Sequence, residues 1–342
     1  MTDVTVMGAG AFGLSVAWAC IRRGASVQVI DPYGVGAGSS GGIVGALAPH
    51  VPENWNDKKA FQLDSLLMAD AWWGAVAQAS GLPTGYGRSG RVQPVVAGGE
   101  ALARARADTA AELWQGRATW QVVAASAVGD WAPVSPTGLW IYDSLSARMH
   151  PRLACAALAA AIVARGGVIA RDGVARGAVI WATGVSGLEE ISAARPRSFG
   201  NGVKGQAVLL RLDRAQAPQL YADGLHVIPH VDGTVAVGST SEGEYADASS
   251  TDAQLDTVMA RAVAAVPALQ GAEVIERWAG VRPRARSRAP VLGAHPLRDG
   301  FIANGGFKIG FGMAPKVGEV MADLVLDGVD NIPEGFRPDA SL

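Results

Sequence analysis

The residues most clearly suited to chemistry stand near the start of the chain, where three spaced glycines are followed by an aspartate. Gly8, Gly10 and Gly13 form a G-x-G-x-x-G motif, and Asp31 follows the next apolar run. The first glycine permits a sharp turn, the second lets a pyrophosphate approach the backbone, and the third lets a helix pack closely on a strand. A carboxylate after the second strand accepts hydrogen bonds from ribose hydroxyls and disfavours a 2′-phosphate. These residue types at this spacing predict a dinucleotide site.

Two strands and a helix are predicted to position this motif. Residues 4–7 and 27–30 are short apolar runs typical of buried parallel strands. Between them, an amphipathic helix starts after the first glycines and stops at Gly24. Its N-terminus, at Ala11 and Phe12, would present unpaired N–H groups and the positive end of the helix dipole to phosphates. A glycine-rich turn that binds nothing is the alternative. The strand, the glycines, the helix and the aspartate together favour a dinucleotide site instead.

Two further segments predict a backbone that lies close to a ligand. Residues 34–45 are mainly small and include the hydroxyls of Ser39 and Ser40, which could lie against a bulky ligand. A flexible surface loop is the alternative for this segment. Residues 177–184 form an apolar strand pattern that ends in Ala-Thr-Gly. The carboxyl end of that strand would lie beside the first strand at the nucleotide crevice.

Composition excludes several classes of protein. The chain has 342 residues, of which 49% are hydrophobic and 18% charged, so we expect a globular protein of about two domains. Its net charge of −2 gives no general attraction for nucleic acid or an anionic membrane. Cys20 and Cys155 are too few for a disulfide scaffold or a cysteine-rich metal site, and we expect both to be core thiols. With a strand already at residue 4 and no long apolar run, we expect no signal peptide, no transmembrane segment and a cytoplasmic protein.

Six motifs are spaced along almost the whole chain, within a match that spans residue 4 to about residue 327. They are GAGAFG, Asp31, SSGGIVG, VIWATG, RWAGVRP and GGFKIGFGMAP. In this order they resemble the FAD-dependent D-amino acid oxidase family, most closely its glycine oxidase and sarcosine oxidase branches. The glycine motif is shared with many flavoproteins, whereas the two C-terminal segments are much more specific.

The resemblance implies an α/β fold, in which a Rossmann-type FAD-binding domain is interleaved with an α+β substrate domain built on an antiparallel sheet. It assigns residues 1–80, 148–200 and 276–340 to the FAD-binding domain, and residues 81–147 and 201–275 to the substrate-binding domain. Strand, hairpin and helix patterns in the second insertion fit this division, at residues 205–210, 225–229, 232–233 and 251–266.

The same resemblance implies that FAD is bound non-covalently, because no cysteine follows Phe307. In the family the GGFKIGFG segment wraps the flavin ring and leads into a helix, where we expect Pro315 in the first turn. Segment 167–178 is shorter than is usual in the family, and Val174 is the residue implied to contact adenine. The implied cofactor contacts are Gly8, Gly10, Ala11, Phe12, Gly13, Asp31, Pro32, Ser39, Ser40, Val44, Gly45, Val174, Thr183, Gly184, Gly306, Phe307, Lys308, Ile309 and Gly310.

Four residues are implied to contact the substrate. Arg282 corresponds to the family arginine that clamps the substrate carboxylate, and a guanidinium fork suits bidentate recognition. Lys308 is the implied second carboxylate contact. His226 stands where glycine oxidase-like members have a carboxylate-binding tyrosine, with a purely structural histidine as the alternative. Ala46 replaces a larger side chain, which implies room for a substrate larger than glycine, and we expect the alternating arginines that follow Arg282 to be solvated, namely Arg284, Arg286 and Arg288.

The implied reaction is oxidation of a small-molecule amine, namely an α-amino acid or an N-substituted glycine of the glycine, sarcosine or D-amino acid type. Hydride passes from Cα to flavin N5 and the imino acid hydrolyses to a 2-oxo acid, so no side-chain acid or base and no metal is required. O2 or another acceptor would take the electrons. A dehydrogenase that uses a quinone or a carrier protein, and a flavin-binding protein without catalysis, stay open as alternatives. The oligomeric state also stays open, a homo-oligomer included.

Overall fold

The computed structural model describes residues 2–342. The described residues form seven α-helices: α1 Ala11–Arg22, α2 Asp57–Ser80, α3 Glu100–Trp114, α4 Pro151–Ala164, α5 Gly184–Ala193, α6 Ala253–Ala265 and α7 Gly310–Ala322. They also form sixteen β-strands: β1 Val4–Met7, β2 Val27–Ile30, β3 Ala46–Leu47, β4 Arg91–Pro94, β5 Trp120–Ala124, β6 Leu139–Asp143, β7 Ala147–Arg148, β8 Val168–Ala170, β9 Ala178–Trp181, β10 Gly200–Arg211, β11 Gln219–Ala222, β12 Leu225–Pro229, β13 Thr234–Gly238, β14 Glu273–Ala285, β15 Val291–Ala294 and β16 Phe301–Asn304. In this part of the chain, no helix combines the length and the apolar character needed to cross a membrane.

A six-stranded sheet carries the N-terminal motif, with the strand order β15-β16-β9-β1-β2-β8. Strand β1 pairs in parallel with β2 on one side and with β9 on the other. Strands β8 and β16 extend the parallel part, whereas β15 runs antiparallel to β16. Val4, Val6 and Val29 are fully buried in this sheet. The short apolar runs therefore form the buried parallel strands that the sequence predicts.

Helices α1, α2, α4 and α7 pack against one another and share a continuous apolar core with this sheet. Trp18 and Cys20 of α1 are fully buried in that core, and Cys155 of α4 is 2% exposed. Burial raises the pKa of both thiols to about 12. The expectation of core thiols is confirmed, and both side chains stay protonated at neutral pH.

A second, eight-stranded sheet has the order β14-β10-β13-β12-β11-β4-β6-β5. Its neighbours pair antiparallel, except that β11 pairs in parallel with β4. The resemblance implies an antiparallel sheet, and the difference arises because β4 and β11 come from distant segments, so no hairpin sets their relative direction. Helix α6 covers this sheet through Leu255, Val258 and Ala262, within the helix predicted for residues 251–266.

The chain passes repeatedly between the two sheets, which is the interleaved α/β fold that the resemblance implies. Strands β10 and β14 form one ladder from the Gly200–Ala285 pair to the Arg211–Glu273 pair. The boundary expected at residue 276 therefore falls inside β14, and residues 276–285 belong to the eight-stranded sheet. The other domain boundaries remain predictions.

Helix α7 begins at Gly310, earlier than the sequence predicts. Pro315 is expected in the first turn but lies inside the helix. Gly312, Met313 and Ala314 are buried, and α7 packs against α1 and α2. Burial of these residues extends the helix to the amino side of Pro315. The proline lacks one backbone N–H donor, so the helix loses a single hydrogen bond at that position.

Residues 171–177 connect the edge strand β8 to β9 and run across the sheet. The Arg176 N–H donates to Thr5 Oγ1 at 2.9 Å, and Gln28 Nε2 donates to the Val174 carbonyl at 2.8 Å. Because Thr5 lies on β1 and Gln28 on β2, the connection passes over both strands. It leads from the carboxyl end of β8 to the amino end of β9, and the Val174 side chain is 73% exposed.

Candidate active site

A cavity of about 870 Å³ is lined by residues from both sheets and from the loops at the carboxyl ends of β1 and β9. Its volume is typical of sites that enclose a small molecule or a cofactor. Most of the residues singled out from the sequence line it: Gly8, Gly10, Ala11, Phe12, Asp31, Pro32, Ser39, Ser40, Val44, Gly45, Ala46, Thr183, Gly184, His226, Arg282, Gly306, Phe307, Lys308 and Gly310. The cavity therefore joins the predicted dinucleotide site to the predicted substrate contacts.

The glycines of the N-terminal motif allow the elements around one end of the cavity to approach closely. Gly8 has a φ of +116°, and a Cβ atom there would lie 2.3 Å from the Ala182 carbonyl oxygen. A Cβ atom on Gly13 would lie 2.0 Å from the Gly8 carbonyl oxygen. Gly10 differs, since a Cβ atom there would meet only the Ser40 side chain, at 3.2 Å. The first and third glycines serve packing, and the second leaves space in front of the backbone.

Two polar side chains are fixed at this end of the cavity by backbone N–H groups. Asp31 Oδ2 accepts from Ala9 N at 2.8 Å, and Asp31 Oδ1 accepts from Tyr33 N at 2.9 Å. A carboxylate has about four lone-pair sites, so acceptors remain for the hydroxyls of a ribose. Ser40 Oγ accepts from Ala11 N at 2.9 Å, at the start of α1. The Ser40 proton is then available to an anion bound at this helix terminus.

The backbone around the cavity fits a dinucleotide such as FAD. Gly38, Gly184 and Gly310 all line the cavity, and beyond the adjoining backbone no protein atom lies within 4 Å of the position that a Cβ atom would take on any of them. Helices α1, α5 and α7 all begin at the cavity wall. Helix N-termini favour negative groups, such as phosphates or an electron-rich ring edge. Open backbone and three helix starts are the features that a long anionic cofactor requires.

Arg282 lies at the opposite end of the cavity and is held by neutral groups. Its Nη1 donates to Ser239 Oγ at 3.2 Å, its Nη2 donates to the Thr240 carbonyl at 2.8 Å, and its Nε has no partner. The guanidinium lies over Gly205, where a Cβ atom would come 1.6 Å from Nη2. Burial lowers the pKa of Arg282 to about 10, against an opposing effect of the Glu242 charge. Arg282 stays charged at neutral pH and keeps free donors for an anion.

Lys308 and Phe307 stand beside this arginine. The Phe307 ring centroid lies 5.8 Å from Arg282 Cζ and 5.7 Å from Lys308 Nζ. Phe307 has a φ of +43°, and its N–H donates to the Pro283 carbonyl at 3.0 Å, which ties its loop to β14. Partial burial and the nearby Arg282 charge lower the pKa of Lys308. Two cations therefore share this end of the cavity.

His226 faces the same end of the cavity as a neutral side chain. Burial, with smaller effects from Arg91 and Lys308, lowers its pKa to about 3. Its ring packs against that of Tyr221 in a tilted arrangement, with a centroid distance of 4.9 Å and an interplanar angle of 46°, and its Nδ1 has no partner. His226 can therefore offer one hydrogen bond to a ligand, as a donor or as an acceptor.

Three of the implied cofactor contacts do not line the cavity: Gly13, Val174 and Ile309. Gly13 is covered by its packing against Gly8, and Ile309 caps α7 and packs on the main apolar core. Val174 lies on the connection that returns toward the amino ends of the strands, whereas the cavity lies at their carboxyl ends. Val174 therefore does not line the cavity, and its contact with adenine stays a prediction.

Several lining residues were missed by the sequence reasoning. Trp278 belongs to the RWAGVRP motif and lines the cavity. Its ring packs against Gly42, where an added Cβ atom would lie 3.1 Å from the ring. Tyr221 pairs directly with His226 on β11 and β12, a register that only the folded sheet reveals. Asn304 Nδ2 donates to the Gly184 carbonyl at 2.8 Å and fixes the start of α5. Of these three residues, only Trp278 could have been found from the sequence, because it belongs to a recognised motif.

Characterised proteins resemble the chain over different lengths. A glycine oxidase from Geobacillus kaustophilus is 23% identical over 94% of this chain and 92% of its own length. A glycine oxidase from Pseudomonas putida is 33% identical, over 52% of this chain and 48% of that enzyme. The chain therefore spans about half the length of the Pseudomonas relative that it matches.

Solved structures share the fold over almost the whole chain. The glycine oxidase from Geobacillus kaustophilus superimposes with a TM-score of 0.81 at 21% identity, over 98% of this chain and 97% of that one. Iminodiacetate oxidase from Chelativorans sp. BNC1 gives a TM-score of 0.80 at 21% identity, over 98% and 99%. The sequence model of the FAD dependent oxidoreductase family matches residues 3–324. The chain therefore belongs to the FAD dependent oxidoreductase family.

Proposed function

We propose that the protein oxidises an α-amino acid or an N-substituted glycine, with FAD as the cofactor. The observation that carries the proposal is the half-buried Arg282 guanidinium, which faces the same cavity as the glycine cradle and forms no ion pair within 4 Å with a carboxylate among the described residues. The Glu242 charge acts on Arg282 only at a distance, and Nε of the guanidinium has no hydrogen-bond partner, so an anionic ligand is expected beside it. The relatives named glycine oxidase and the fold neighbour named iminodiacetate oxidase support an amine that carries a carboxylate.

The cofactor lies along the cavity in this proposal. Glycines of the N-terminal motif, Asp31 and Ser40 hold its nucleotide part, and the loop from Gly306 to Gly310 borders its ring. When bound, FAD supplies the hydride acceptor. Attachment is non-covalent, since Lys308 follows Phe307 and neither cysteine lines the cavity. The six-stranded sheet with α1, α5 and α7 is the FAD-binding part, and the eight-stranded sheet supplies the substrate wall.

The protein side chains orient the substrate. Arg282 and Lys308 bind its carboxylate, and His226 contributes a neutral hydrogen-bonding group beside them. Ala46 leaves room for a substituent on Cα or on nitrogen. The N-terminus of α7 at Gly310 places a positive dipole end near the ring, where it favours negative charge that develops during hydride transfer. No side chain needs to form a covalent bond to the substrate.

Anaerobic flavin reduction tests the proposal. The purified holoprotein is mixed with glycine, sarcosine and a panel of D- and L-amino acids, and the flavin absorbance is followed. Bleaching by one class of amine supports the proposal and identifies the substrate type. A flavin spectrum that no amine bleaches contradicts it. Oxygen uptake, compared with reduction of an artificial dye, then shows whether O2 or another acceptor takes the electrons.

A further inference from the structure

The segment that follows β13 holds the Arg282 guanidinium. Arg282 Nη1 donates to Ser239 Oγ at 3.2 Å, and Nη2 donates to the Thr240 carbonyl at 2.8 Å. A longer contact, of 3.4 Å, joins Nη2 to the Lys204 carbonyl on β10. All three acceptors are neutral, so they direct the guanidinium without neutralising its charge. The orientation of Arg282 therefore depends on what fixes Ser239 and Thr240.

Thr240 is fixed by the neighbouring strand β10 and by Glu242. Its N–H donates to the Gln206 carbonyl at 3.2 Å, and its Oγ1 accepts from the Gln206 N–H at 2.8 Å. The hydroxyl proton is donated to Glu242 Oε1. Thr240 thus connects Arg282, which its carbonyl holds, to Glu242, which its hydroxyl contacts.

Glu242 ends this segment as a buried carboxylate. The residue is 8% exposed, and its backbone pairs with that of Lys204 through two hydrogen bonds of 2.9 Å. Besides the Thr240 hydroxyl, the carboxylate accepts from Gln206 Nε2 at 3.1 Å, and Lys204 Nζ lies 3.9 Å away. A buried carboxylate is costly unless donors surround it, and here a hydroxyl and an amide donate to it beside an ammonium group. Glu242 therefore has a defined position next to the residues that hold Arg282.

Glu242 supplies negative charge to a region that is otherwise cationic or neutral. The Glu242 charge raises the pKa of Arg282, against the larger opposite effect of burial. Arg284 is half-buried rather than solvated as expected, with its Cζ 5.8 Å from the Phe307 ring centroid. The other charged or titratable groups placed around Arg282 are Lys204 on β10, Arg284 on β14, Lys308 before α7, Tyr221 on β11 and the neutral His226 on β12. None of these groups is a carboxylate.

We propose that Glu242 is a positioning residue for the carboxylate clamp. It fixes the segment whose Ser239 and Thr240 hold Arg282, and its charge favours the protonated guanidinium. Glu242 does not line the cavity, so it acts through Arg282 and does not touch the ligand. The inference rests on the proposed function for the identity of the ligand as a carboxylate, but it concerns binding and not hydride transfer.

Binding of an unreactive carboxylate tests the inference without turnover. The holoprotein is titrated with acetate, and the Kd is obtained from the change in the flavin spectrum. Glu242→Gln keeps the size of the side chain but removes its charge, and we expect it to raise the Kd about tenfold with unchanged flavin content. Asp252→Asn is the matched control, because Asp252 accepts from the same Gln206 amide at 3.0 Å and caps α6, and asparagine also caps helices. An unchanged Kd in Glu242→Gln, or an equal rise in Asp252→Asn, would overturn the inference.

Two variants of Thr240 test the connection between Glu242 and Arg282. Thr240→Val keeps the carbonyl that holds Arg282 but removes the hydroxyl, and we expect it to raise the acetate Kd by at least about threefold. Thr240→Ser retains the hydroxyl, so its Kd should stay within about twofold of the unaltered value. Equal Kd values for the valine and serine variants contradict the connection.

The pH profile distinguishes the charge of Glu242 from a purely structural role. Acetate binding is measured in a Lys308→Met background, so that Arg282 is the remaining titrating cation of the clamp. Removal of the Glu242 charge lowers the pKa of Arg282 further, so Glu242→Gln should lose acetate binding at a pH about one unit lower. A variant that only loosened the segment would weaken binding by the same factor at every pH, and that result would overturn the inference.

Flavin reduction by amines separates this inference from the proposed function. A protein that an amine reduces, but whose acetate Kd does not respond to Glu242→Gln, retains the proposed reaction and loses the positioning role. A protein that no amine reduces, but whose acetate Kd depends on Glu242, contradicts the proposed reaction and leaves the positioning role standing. Failure of the unaltered holoprotein to bind acetate contradicts the clamp itself, and both proposals with it.

Discussion

The two ends of the cavity are built in different ways. At the nucleotide end, a continuous segment from β1 to Asp31 forms a turn, a helix start and a strand end, and the site consists mainly of backbone. At the substrate end, Arg282 comes from β14, Lys308 from the loop between β16 and α7, and His226 from β12, and the site consists of charged and aromatic side chains. Close packing of glycines is characteristic of the nucleotide end, whereas the substrate end is characterised by cations that form no direct ion pair.

This difference separates two kinds of sequence information. A backbone site depends on where side chains are absent, and that absence is visible locally as a motif. A side-chain site depends on which distant residues meet, and on what fills the space around them. Ser239 and Thr240 orient Arg282 although no motif links them to it. Substitutions at the two ends should therefore have effects of different kinds.

The largest effect is expected at the nucleotide end. Gly13→Ala would place a methyl group 2.0 Å from the Gly8 carbonyl oxygen, so that α1 must move away from β1. We expect a loss of bound FAD and a destabilisation of about 3 kcal/mol, as for a strongly overpacked site. The ratio of flavin to protein absorbance measures the bound FAD, and the denaturation midpoint measures the loss of stability. Gly74→Ala is the control, because Gly74 lies in α2 and, beyond the adjoining backbone, no atom lies within 4 Å of a new Cβ atom there. Normal flavin content in Gly13→Ala would contradict the packing argument.

Removal of the cation at the substrate end should leave the nucleotide end intact. Arg282→Ala is expected to raise KM, or the Kd of a carboxylate probe, by about 100-fold, since it removes one partner of a buried charged contact. Flavin content and the shape of the flavin spectrum should stay as in the unaltered protein. An unchanged KM for every amine that reduces the flavin would exclude Arg282 as the carboxylate clamp.

The pH dependence of carboxylate binding should reflect the same cations. His226, with a pKa of about 3, stays neutral above about pH 5, and Arg282, with a pKa of about 10, stays charged up to about pH 9. Binding requires the protonated cations, so affinity should be flat between about pH 5 and pH 8 and fall as pH rises through the pKa values of Lys308 and Arg282. Titration of the holoprotein with acetate at a series of pH values measures this dependence of the affinity on pH. A midpoint near pH 6.5 would show that a histidine of ordinary pKa controls binding.

The smallest effect is expected for the residue implied to contact adenine. Val174 is exposed and outside the cavity lining, and its carbonyl rather than its side chain makes the contact with Gln28. Val174→Ser should therefore change the FAD dissociation constant by less than about twofold, as is usual for surface substitutions. Competition between apoprotein variants for limiting FAD provides the comparison. A clear loss of affinity would mean that FAD extends along residues 171–177.

Most of the cofactor end could be predicted because it is local. The strands at residues 4–7 and 27–30, the helix between them and the strand before Thr183 follow from short-range patterns. The early start of α7 could not be predicted, because burial against α1 and α2 overrides the usual position of Pro315. The parallel pairing of β4 with β11 joins distant segments, and no local pattern encodes it.

By itself the sequence determined the dinucleotide motif with its two strands and its helix, because glycine spacing, strand ends and helix starts are properties of contiguous residues. The family, the interleaved α/β fold and FAD followed from the resemblance of six spaced motifs to a known family. Only the tertiary structure decided which side chains share the substrate end. It brought Arg284 to Phe307, placed Tyr221 against His226 and took Val174 away from the cavity. The physical reason is that a tight turn and a helix start depend on residues that are close together in the sequence. Charge balance and ring packing, by contrast, depend on groups that only folding brings together.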